Sequence, residues 1–93
     1  MTGMEEPVRV PIGDSIDLHA FSPKEVASVV EEYLTEAAEA GYREVRVIHG
    51  KGTGVQKAIV RAVLVRHPRV AGFSDAPLEG GGWGATRVAL KGR

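Results

Sequence analysis

The sequence predicts an α/β fold, a two-layer or open α/β sandwich with a four-stranded mixed sheet and two helices. Short runs of alternating β-branched residues predict four strands, and two longer segments with helical spacing of apolar residues predict the helices. Their order is β-α-β-α-β-β, and the right-handed crossover rule makes the first two strands parallel. With 93 residues, the chain is long enough for one domain with a modest core.

The composition excludes several classes of protein. The chain has no cysteine, which rules out disulfides, thiolate zinc sites and cysteine nucleophiles. No apolar run approaches the roughly 18 residues of a membrane-spanning helix. The N-terminal residues lack the basic and apolar regions of a signal peptide. We therefore expect a cytoplasmic protein that does not enter a membrane, and, since no segment resembles a coiled coil, a monomer.

The charged residues are divided unevenly along a chain whose net charge is zero. Residues 1–40 hold nine acidic and two basic side chains (net −7), and residues 41–93 hold ten basic and three acidic ones (net +7). This division predicts a face that binds a polyanion such as nucleic acid. The alternative is that both sets are solvated faces of helices.

The chain begins with a predicted N-terminal arm over residues 1–13, which is rich in proline and glycine, and continues with a folded domain over residues 14–93. The first strand is predicted over Ser15–His19. Because side chains alternate along a strand, its two apolar residues face the core. Asp17 and His19 then project together from the other face, near the carboxyl end of the strand.

The first helix has clear start and stop signals. Ser22 is the predicted N-cap, Pro23 lies in the first turn and Glu25 completes a capping box. Gly41 is placed to end the helix. The apolar stripe of this helix comprises Val26, Val30, Tyr33, Leu34 and Ala37.

The remaining elements follow at short intervals. The second strand is predicted over Glu44–Ile48, and the second helix runs from about Thr53 to Arg66, where His67-Pro68 stops it. Two further strands are predicted over Val70–Asp75 and Ala85–Leu90. In the last strand, alternation of side chains is typical of a half-buried position in the sheet.

The turn between the second strand and the second helix reads His49-Gly50-Lys51-Gly52-Thr53-Gly54. Its glycines allow the backbone to approach a ligand closely, and the helix N-terminus that follows favours anions. Lys51 adds a positive charge. The spacing fits neither the Walker A loop nor the dinucleotide-binding fingerprint. The alternative is an ordinary tight turn from strand to helix.

A second glycine-rich segment, residues 77–84, surrounds Trp83 and connects the last two strands. We predict a loop that flexes over a ligand and offers Trp83 for stacking on a base. The alternative is a hairpin connection whose tryptophan packs on the edge of the core.

Since the carboxyl ends of parallel strands share one edge, Asp17, His19 and His49 should converge near the start of the second helix.

Three separated segments together resemble the motifs of the Smr (small MutS-related) domain family: Ile16–Ala20, His49–Gly54 and Gly81–Thr86. The resemblance covers about residues 14–91. Smr domains are similar in fold to the C-terminal domain of translation initiation factor 3, and several act as endonucleases on DNA or RNA. One departure is Ala20, which stands where the family commonly has glycine.

The resemblance places Asp17, His19 and His49 in a catalytic site. We hypothesise that Asp17 orients His19, which deprotonates a water molecule or a ribose 2′-hydroxyl. His49 would bind phosphate or act as the opposite acid. The predicted phosphate and backbone contacts are Gly50, Lys51, Gly52, Thr53, Gly54, Lys57, Arg61, Trp83 and Arg87. Mg²⁺ or Mn²⁺ could bind through Asp17, but an acid-base route needs no metal, and the metal question stays open.

Two other functions remain open at this point. The domain could bind branched or otherwise structured DNA or RNA by shape and charge without turnover. It could also act on a small phosphate-containing molecule or nucleotide. A cleavage assay separates the endonuclease from the binding module, and saturable nucleotide binding would favour the third hypothesis.

Overall fold

The computed structural model describes residues 13–50, 52, 54–77 and 84–92. The elements in chain order are β1 (Ser15–Asp17), a short 3-10 helix (Leu18–Ala20), α1 (Pro23–Glu39), β2 (Glu44–Ile48), α2 (Val55–Arg66), β3 (Val70–Asp75) and β4 (Ala85–Leu90). Two helices and a four-stranded mixed sheet confirm the predicted fold class. The predicted N-terminal arm lies outside the described residues except for Gly13.

The sheet has the strand order β1-β2-β4-β3. β1 and β2 are parallel, as the crossover rule predicts, and β4 is antiparallel to both β2 and β3. The parallel pair brings the carboxyl ends of β1 and β2 to the same edge of the sheet. The segments that carry Asp17, His19 and His49 therefore start from one edge.

β1 is shorter than the sequence predicts. It ends at Asp17, because the Asp17 carboxylate accepts the backbone N–H of His19 at 2.9 Å and caps the 3-10 helix. The prediction that Asp17 and His19 project from one face of a continuous strand is therefore wrong. Leu18 is fully buried in the core from its position in the 3-10 helix.

The two ends of α1 follow the signals in the sequence. At the start, the Glu25 side chain accepts the backbone N–H of Ser22 at 3.1 Å, and Pro23 occupies the first helical position. At the end, Gly41 has a φ of 97° and the N–H of Tyr42 donates to the carbonyl of Ala37 at 3.0 Å. This is the Schellman arrangement, which requires a left-handed residue where glycine stands.

The hydrophobic core lies between the helices and one face of the sheet. The strands contribute Val45 and Val47 from β2 and Val88 and Leu90 from β4, and all four are at most 5% exposed. Both helices bury their apolar stripes in the same cluster. Alternation along the strands places Arg46 and Arg87 on the other face, the open face of the sheet.

The predicted bounds of β2, β3 and β4 are confirmed, and α2 begins at Val55 and ends at Arg66. Gly54 precedes α2 as its N-cap with a φ of 87°, a backbone conformation that favours glycine. His67 and Pro68 end α2 as predicted, since the residue before proline avoids helical conformation. Within the described residues, neither helix is long and apolar enough to cross a membrane.

Candidate active site

The first part of the site is the pair formed by Asp17 and His19. His19 Nδ1 lies 2.6 Å from Asp17 Oδ1, and the His19 backbone N–H donates to the same oxygen at 2.9 Å. These two bonds, the backbone one first, hold the pKa of the Asp17 carboxyl below its usual value. An ionised carboxylate only accepts hydrogen bonds, so Nδ1 carries the proton, and whenever the ring is neutral the lone pair is on Nε2.

Both side chains of this pair are open to solvent. The exposed fraction of the side chain is 65% for His19 and 59% for Asp17. A carboxylate that fixes one nitrogen of a solvent-exposed imidazole is the arrangement of a general base in acyl and phosphoryl chemistry. The expected orientation of His19 by Asp17 is therefore present in the structure.

Gly50 lies directly against the His19 ring. A methyl carbon built on Gly50 would stand 2.9 Å from His19 Nε2, closer than real Cβ atoms approach. Gly50 also has a φ of 81°, which side chains of L-residues rarely adopt. The glycine turn therefore lets the base lie against the backbone, and the sequence segments around His19 and Gly50 meet here.

His49 is oriented differently from the prediction. It is 5% exposed, Nδ1 donates to the carbonyl of Gly50 at 3.0 Å, and Nε2 accepts from the Thr86 hydroxyl at 2.8 Å. Burial lowers the pKa of His49, which favours the neutral ring. Both ring nitrogens therefore have partners within the protein, so in this arrangement neither nitrogen is available to protonate a leaving group.

The amide of Gly50 is also occupied, contrary to the expectation that it holds phosphate oxygens. The N–H groups of His49 and Gly50 both donate to the carbonyl of Gly84, at 3.1 and 2.8 Å. These bonds extend the contact between β2 and β4 beyond the strands themselves. They fix the turn beside His19. Gly84 belongs to the segment Gly81–Thr86 that resembles a family motif, but the sequence did not predict its carbonyl as the acceptor for this turn.

A cavity of about 350 Å³ opens beside this turn, at the N-terminal end of α2. Its lining includes Gly50, Gly52 and Gly54, so three of the predicted phosphate-binding glycines meet there. Pro23, His49, Val55, Gln56 and Lys57 complete the lining. Lys51, Thr53 and Trp83, also predicted to contact the ligand, lie outside the described residues.

The basic residues predicted to follow the nucleic-acid backbone are held by carboxylates. Lys57 Nζ and Arg61 Nη2 lie 3.0 and 2.7 Å from the same oxygen, Asp75 Oδ1. The Arg61 guanidinium also lies 5.3 Å from the centroid of the Phe73 ring. Both cations lower the pKa of the Asp75 carboxyl, the hydrogen bond from Lys57 most strongly. This side of α2 is therefore not a row of unpaired cations.

Other ion pairs join the acidic and basic halves of the sequence. Arg66 pairs with Glu31 at 2.6 Å and Arg69 with Glu39 at 3.2 Å, so bases after position 41 neutralise acids of α1. Arg87, also predicted to contact the backbone, pairs with Glu44 at 3.2 Å. Part of the charge division is thus neutralised by ion pairs within the protein. Neither a face of unpaired bases for a polyanion nor two simply solvated helix faces describes these residues completely.

Within the described part of the chain, no group of three or more His, Cys, Asp or Glu residues could hold a metal ion. Asp17 is the carboxylate beside His19, and one of its oxygens is bonded to that ring. This donor set does not fit a protein cage for Mg²⁺ or Mn²⁺, which take several oxygen ligands.

The model of the Smr domain family matches residues 16–91, which is most of the chain. The chain belongs to the Smr domain family. The matched region contains all three segments in which the family resemblance was recognised, and the predicted membership is confirmed. The pair of Asp17 and His19 and the Gly50 turn lie inside it.

The relatives are large proteins of which this chain matches a small part. It is 37% identical over 75 residues to Endonuclease MutS2 of Helicobacter pylori and 42% identical over 77 residues to Endonuclease MutS2 of Caldicellulosiruptor bescii. These matches cover 81% and 83% of this chain. They cover 10% of each relative, so the chain spans about one tenth of the length of these proteins.

Two solved structures have the same fold. The Smr domain of Thermus thermophilus MutS2 superposes with a TM-score of 0.80 at 39% identity, over 85% of this chain and 99% of that one. YdaL, a stand-alone small MutS-related protein from Escherichia coli, superposes with a TM-score of 0.79 at 28% identity, over 84% of this chain and 64% of that one.

Proposed function

We propose that this protein is an endonuclease that cleaves phosphodiester bonds in DNA or RNA and uses His19 as the general base. The observation that carries the proposal is the geometry of one side chain. His19 Nδ1 is held 2.6 Å from Asp17 Oδ1, while Nε2 lies beside Gly50 at an exposed rim of the sheet. The chain's likeness to parts of proteins named Endonuclease MutS2 supports the class of reaction.

In the proposed step, Nε2 of His19 takes a proton from a water molecule or a ribose 2′-hydroxyl as that oxygen bonds to phosphorus. The bond from phosphorus to the leaving oxygen then breaks, and solvent water protonates that oxygen. Asp17 stabilises the imidazolium that forms, because its charge lies next to Nδ1. A positioned base of this kind typically contributes about 10²- to 10⁴-fold to the rate.

The scissile phosphate would bind at the cavity beside the glycine turn. That cavity adjoins His49 and Gly50 on one side and the N-terminal end of α2 on the other. A helix N-terminus favours anions because its backbone N–H groups point outward and the helix dipole is positive there. Gly52 and Gly54 leave room for phosphate oxygens to approach the backbone.

A binding module without turnover is the second candidate, and one observation favours it. Both ring nitrogens of His49 are bonded within the protein, so the second acid that the sequence predicted does not face the site. A domain with a base but no acid could hold structured DNA or RNA without cutting it. Both candidates predict affinity that falls steeply with salt.

The test incubates the wild-type protein and the His19→Ala variant with branched DNA, duplex DNA and structured RNA, with and without Mg²⁺ or Mn²⁺. The endonuclease proposal predicts cleavage by the wild type and its loss in His19→Ala, with binding retained. A cyclic phosphate at the product end would identify the 2′-hydroxyl as the nucleophile, and a simple monophosphate would identify water. The arms with metal show whether a cation bound with the substrate is needed.

Two results would count against the proposal. Binding without any cleavage by the wild-type protein in every arm would favour the binding module. Cleavage that is equally fast in His19→Ala would remove His19 from the reaction and point to another site or a contaminating nuclease. Mock purifications without the protein serve as the control for that contamination.

A further inference from the structure

Two arginines stand opposite each other in the middle of the open face of the sheet. Arg46 of β2 and Arg87 of β4 are direct partners in the antiparallel register, so their side chains leave the sheet side by side. Like charges at such a position disfavour strand pairing, and arginine stays charged throughout the physiological pH range. The position therefore calls for a negative partner.

Among the residues that the structure describes, a carboxylate pairs with one of the two arginines. Glu44 Oε2 lies 3.2 Å from Arg87 Nε. Arg46 forms no ion pair among the described residues, and its Nε is screened from solvent without a hydrogen-bond partner. A screened guanidinium N–H without an acceptor is costly, and native structures usually provide an acceptor, either from the protein or from a ligand.

A groove of about 250 Å³ lies over this pair of arginines. Asp14, Glu44 and Pro77 line it together with Arg46 and Arg87. The Glu44 and Arg87 side chains are 56% and 48% exposed, and an ion pair so exposed contributes little energy, so a bound anion can replace it. The groove is thus open to a ligand and has the donors that an anion requires.

The groove lies on the same face of the sheet as Asp17, the partner of the candidate base. Asp17 pairs with Ile48 in the parallel register, and Ile48 follows Arg46 by two positions on β2, so Asp17 and Arg46 project from one face. Two residues along a strand correspond to about 7 Å. If one phosphate of a linear polyanion lies near Asp17, an adjacent phosphate of the same strand can therefore reach the arginine pair.

We propose that this open-face groove binds the phosphodiester backbone of the same nucleic-acid strand that His19 attacks. The proposal rests on the function proposed above and adds the path of the strand, which runs over the open face of the sheet rather than along α2. Guanidinium groups match phosphate geometry because they donate two parallel hydrogen bonds. Arg61 Nε is also screened without a hydrogen-bond partner, but the charges of Lys57 and Arg61 are both paired with Asp75, whereas Arg46 has no such carboxylate among the described residues.

The test compares Arg46→Gln with Arg66→Gln as the matched control. Both changes remove one arginine charge, but Arg66 lies at the end of α2, paired with Glu31, away from the open face. Binding of labelled structured RNA and branched DNA is measured in a His19→Ala background, so that the strand is not cut, across a series of salt concentrations. Thermal unfolding of each variant establishes that it is folded.

We expect Arg46→Gln to weaken binding roughly three- to tenfold, as loss of one partly exposed charged contact does. The slope of log affinity against log salt should fall by about 0.7 for a single strand or about 0.9 for a duplex. Arg66→Gln should change neither quantity. Arg46→Lys keeps the charge but loses the bidentate donor, so it should keep the salt slope and lose part of the affinity. This variant replaces Arg46→Gln if Arg46→Gln does not fold.

The inference and the proposed function can fail separately. Cleavage by the wild-type protein together with unchanged affinity and salt slope in Arg46→Gln would overturn the inference alone. Equal losses in Arg46→Gln and Arg66→Gln would overturn it too, since they would reflect total charge rather than this groove. Absence of both binding and cleavage in the protein with native Arg46 would overturn the proposed function and the inference together.

Discussion

At the scale of single residues, the contact between His19 and Gly50 determines where the base can stand. A Cβ built on Gly50 would stand 2.9 Å from Nε2 of the ring, so a side chain there would force the ring to shift. The sequence predicted the importance of Gly50 but for a different reason. Its amide was expected to hold phosphate, whereas it donates to the carbonyl of Gly84. No local pattern in the sequence gives this partner, because the contact joins β2 to the segment before β4.

We predict that Gly50→Ala displaces the His19 ring. The cleavage rate of the folded variant should fall, beyond any loss explained by its lower free energy of unfolding. The methyl group would meet Nε2 at 2.9 Å, and the left-handed backbone costs about 1–2 kcal/mol for a residue with a Cβ. Cleavage rates and urea unfolding of the variant measure the two effects.

Gly41→Ala is the matched control for this prediction. Gly41 also has a left-handed φ, of 97°, but nothing lies within 4 Å of a methyl group built there, and it ends α1 away from His19. The control should lose similar stability and keep the wild-type cleavage rate. A Gly50→Ala protein as active as Gly41→Ala would show that the ring needs no such space.

The contact between His49 and Thr86 could be predicted only in part from the sequence. The alternation in β4 placed Thr86 on the buried face with Val88 and Leu90, and a buried hydroxyl needs a partner. That partner is Nε2 of His49. The family resemblance implied a catalytic role for His49, and the structure shows that its ring also joins the turn to β4.

We predict that this buried histidine makes stability depend on pH. Burial lowers the pKa of His49, so between that lowered value and the ordinary value near 6.5 the unfolded chain binds more protons than the folded one. The free energy of unfolding should therefore rise with pH through this window. Urea unfolding at about pH 5.5 and about pH 7.5 should show a smaller rise for His49→Gln than for the wild type. Equal rises in the two proteins would contradict this assignment.

At the scale of elements, the end of β1 shows why one boundary differed from the sequence-based expectation. Strand periodicity continues through Ile16 and Leu18, but Asp17 accepts the N–H of the residue two positions on and turns the chain into a 3-10 helix. Aspartate is known for this local competition with strand pairing. The caps of α1 were predictable because their signals, Ser22 to Glu25 and Gly41, act within one turn.

The packing of α2 against β3 gives a prediction at this scale. Asp75 of β3 holds Lys57 and Arg61 of α2, and removing its charge makes both cations more available to a polyanion. The strand path proposed above does not use these cations while Asp75 holds them. In Asp75→Asn they should add contacts that the native protein does not make, so nucleic acid should bind more tightly, by roughly two- to threefold, with a steeper dependence on salt. Affinity measured over a salt series checks this, and Glu39→Gln, which removes the partner of Arg69, is the comparison. Weaker binding by Asp75→Asn would contradict it.

At the scale of the whole molecule, the fold followed from the sequence more fully than the site did. Periodicity predicted the first and last residues of β2, β3 and β4, and the crossover rule predicted the parallel pairing of β1 and β2. The division of charge along the chain was visible in the sequence too, but which charges are paired within the protein depends on tertiary contacts. Glu31 with Arg66 and Glu39 with Arg69 join distant parts of the chain, and single-sequence patterns do not specify such partners.

The central claim for the molecule is that Asp17 and His19 act as one unit on a phosphodiester. Asp17→Asn keeps an oxygen that can cap the 3-10 helix but removes the charge that stabilises the imidazolium and fixes the protonated nitrogen of His19. Residues that act as a unit give effects on rate that do not add.

The most direct measurement is the single-turnover cleavage rate of the wild type, Asp17→Asn, His19→Ala and the double variant at saturating protein. We expect His19→Ala to lower the rate by about 10²-fold or more with its affinity for the substrate unchanged. The double variant should be no slower than His19→Ala alone. A double variant that is slower by the full product of the two single effects, or a His19→Ala protein that cleaves at the wild-type rate, would contradict this account.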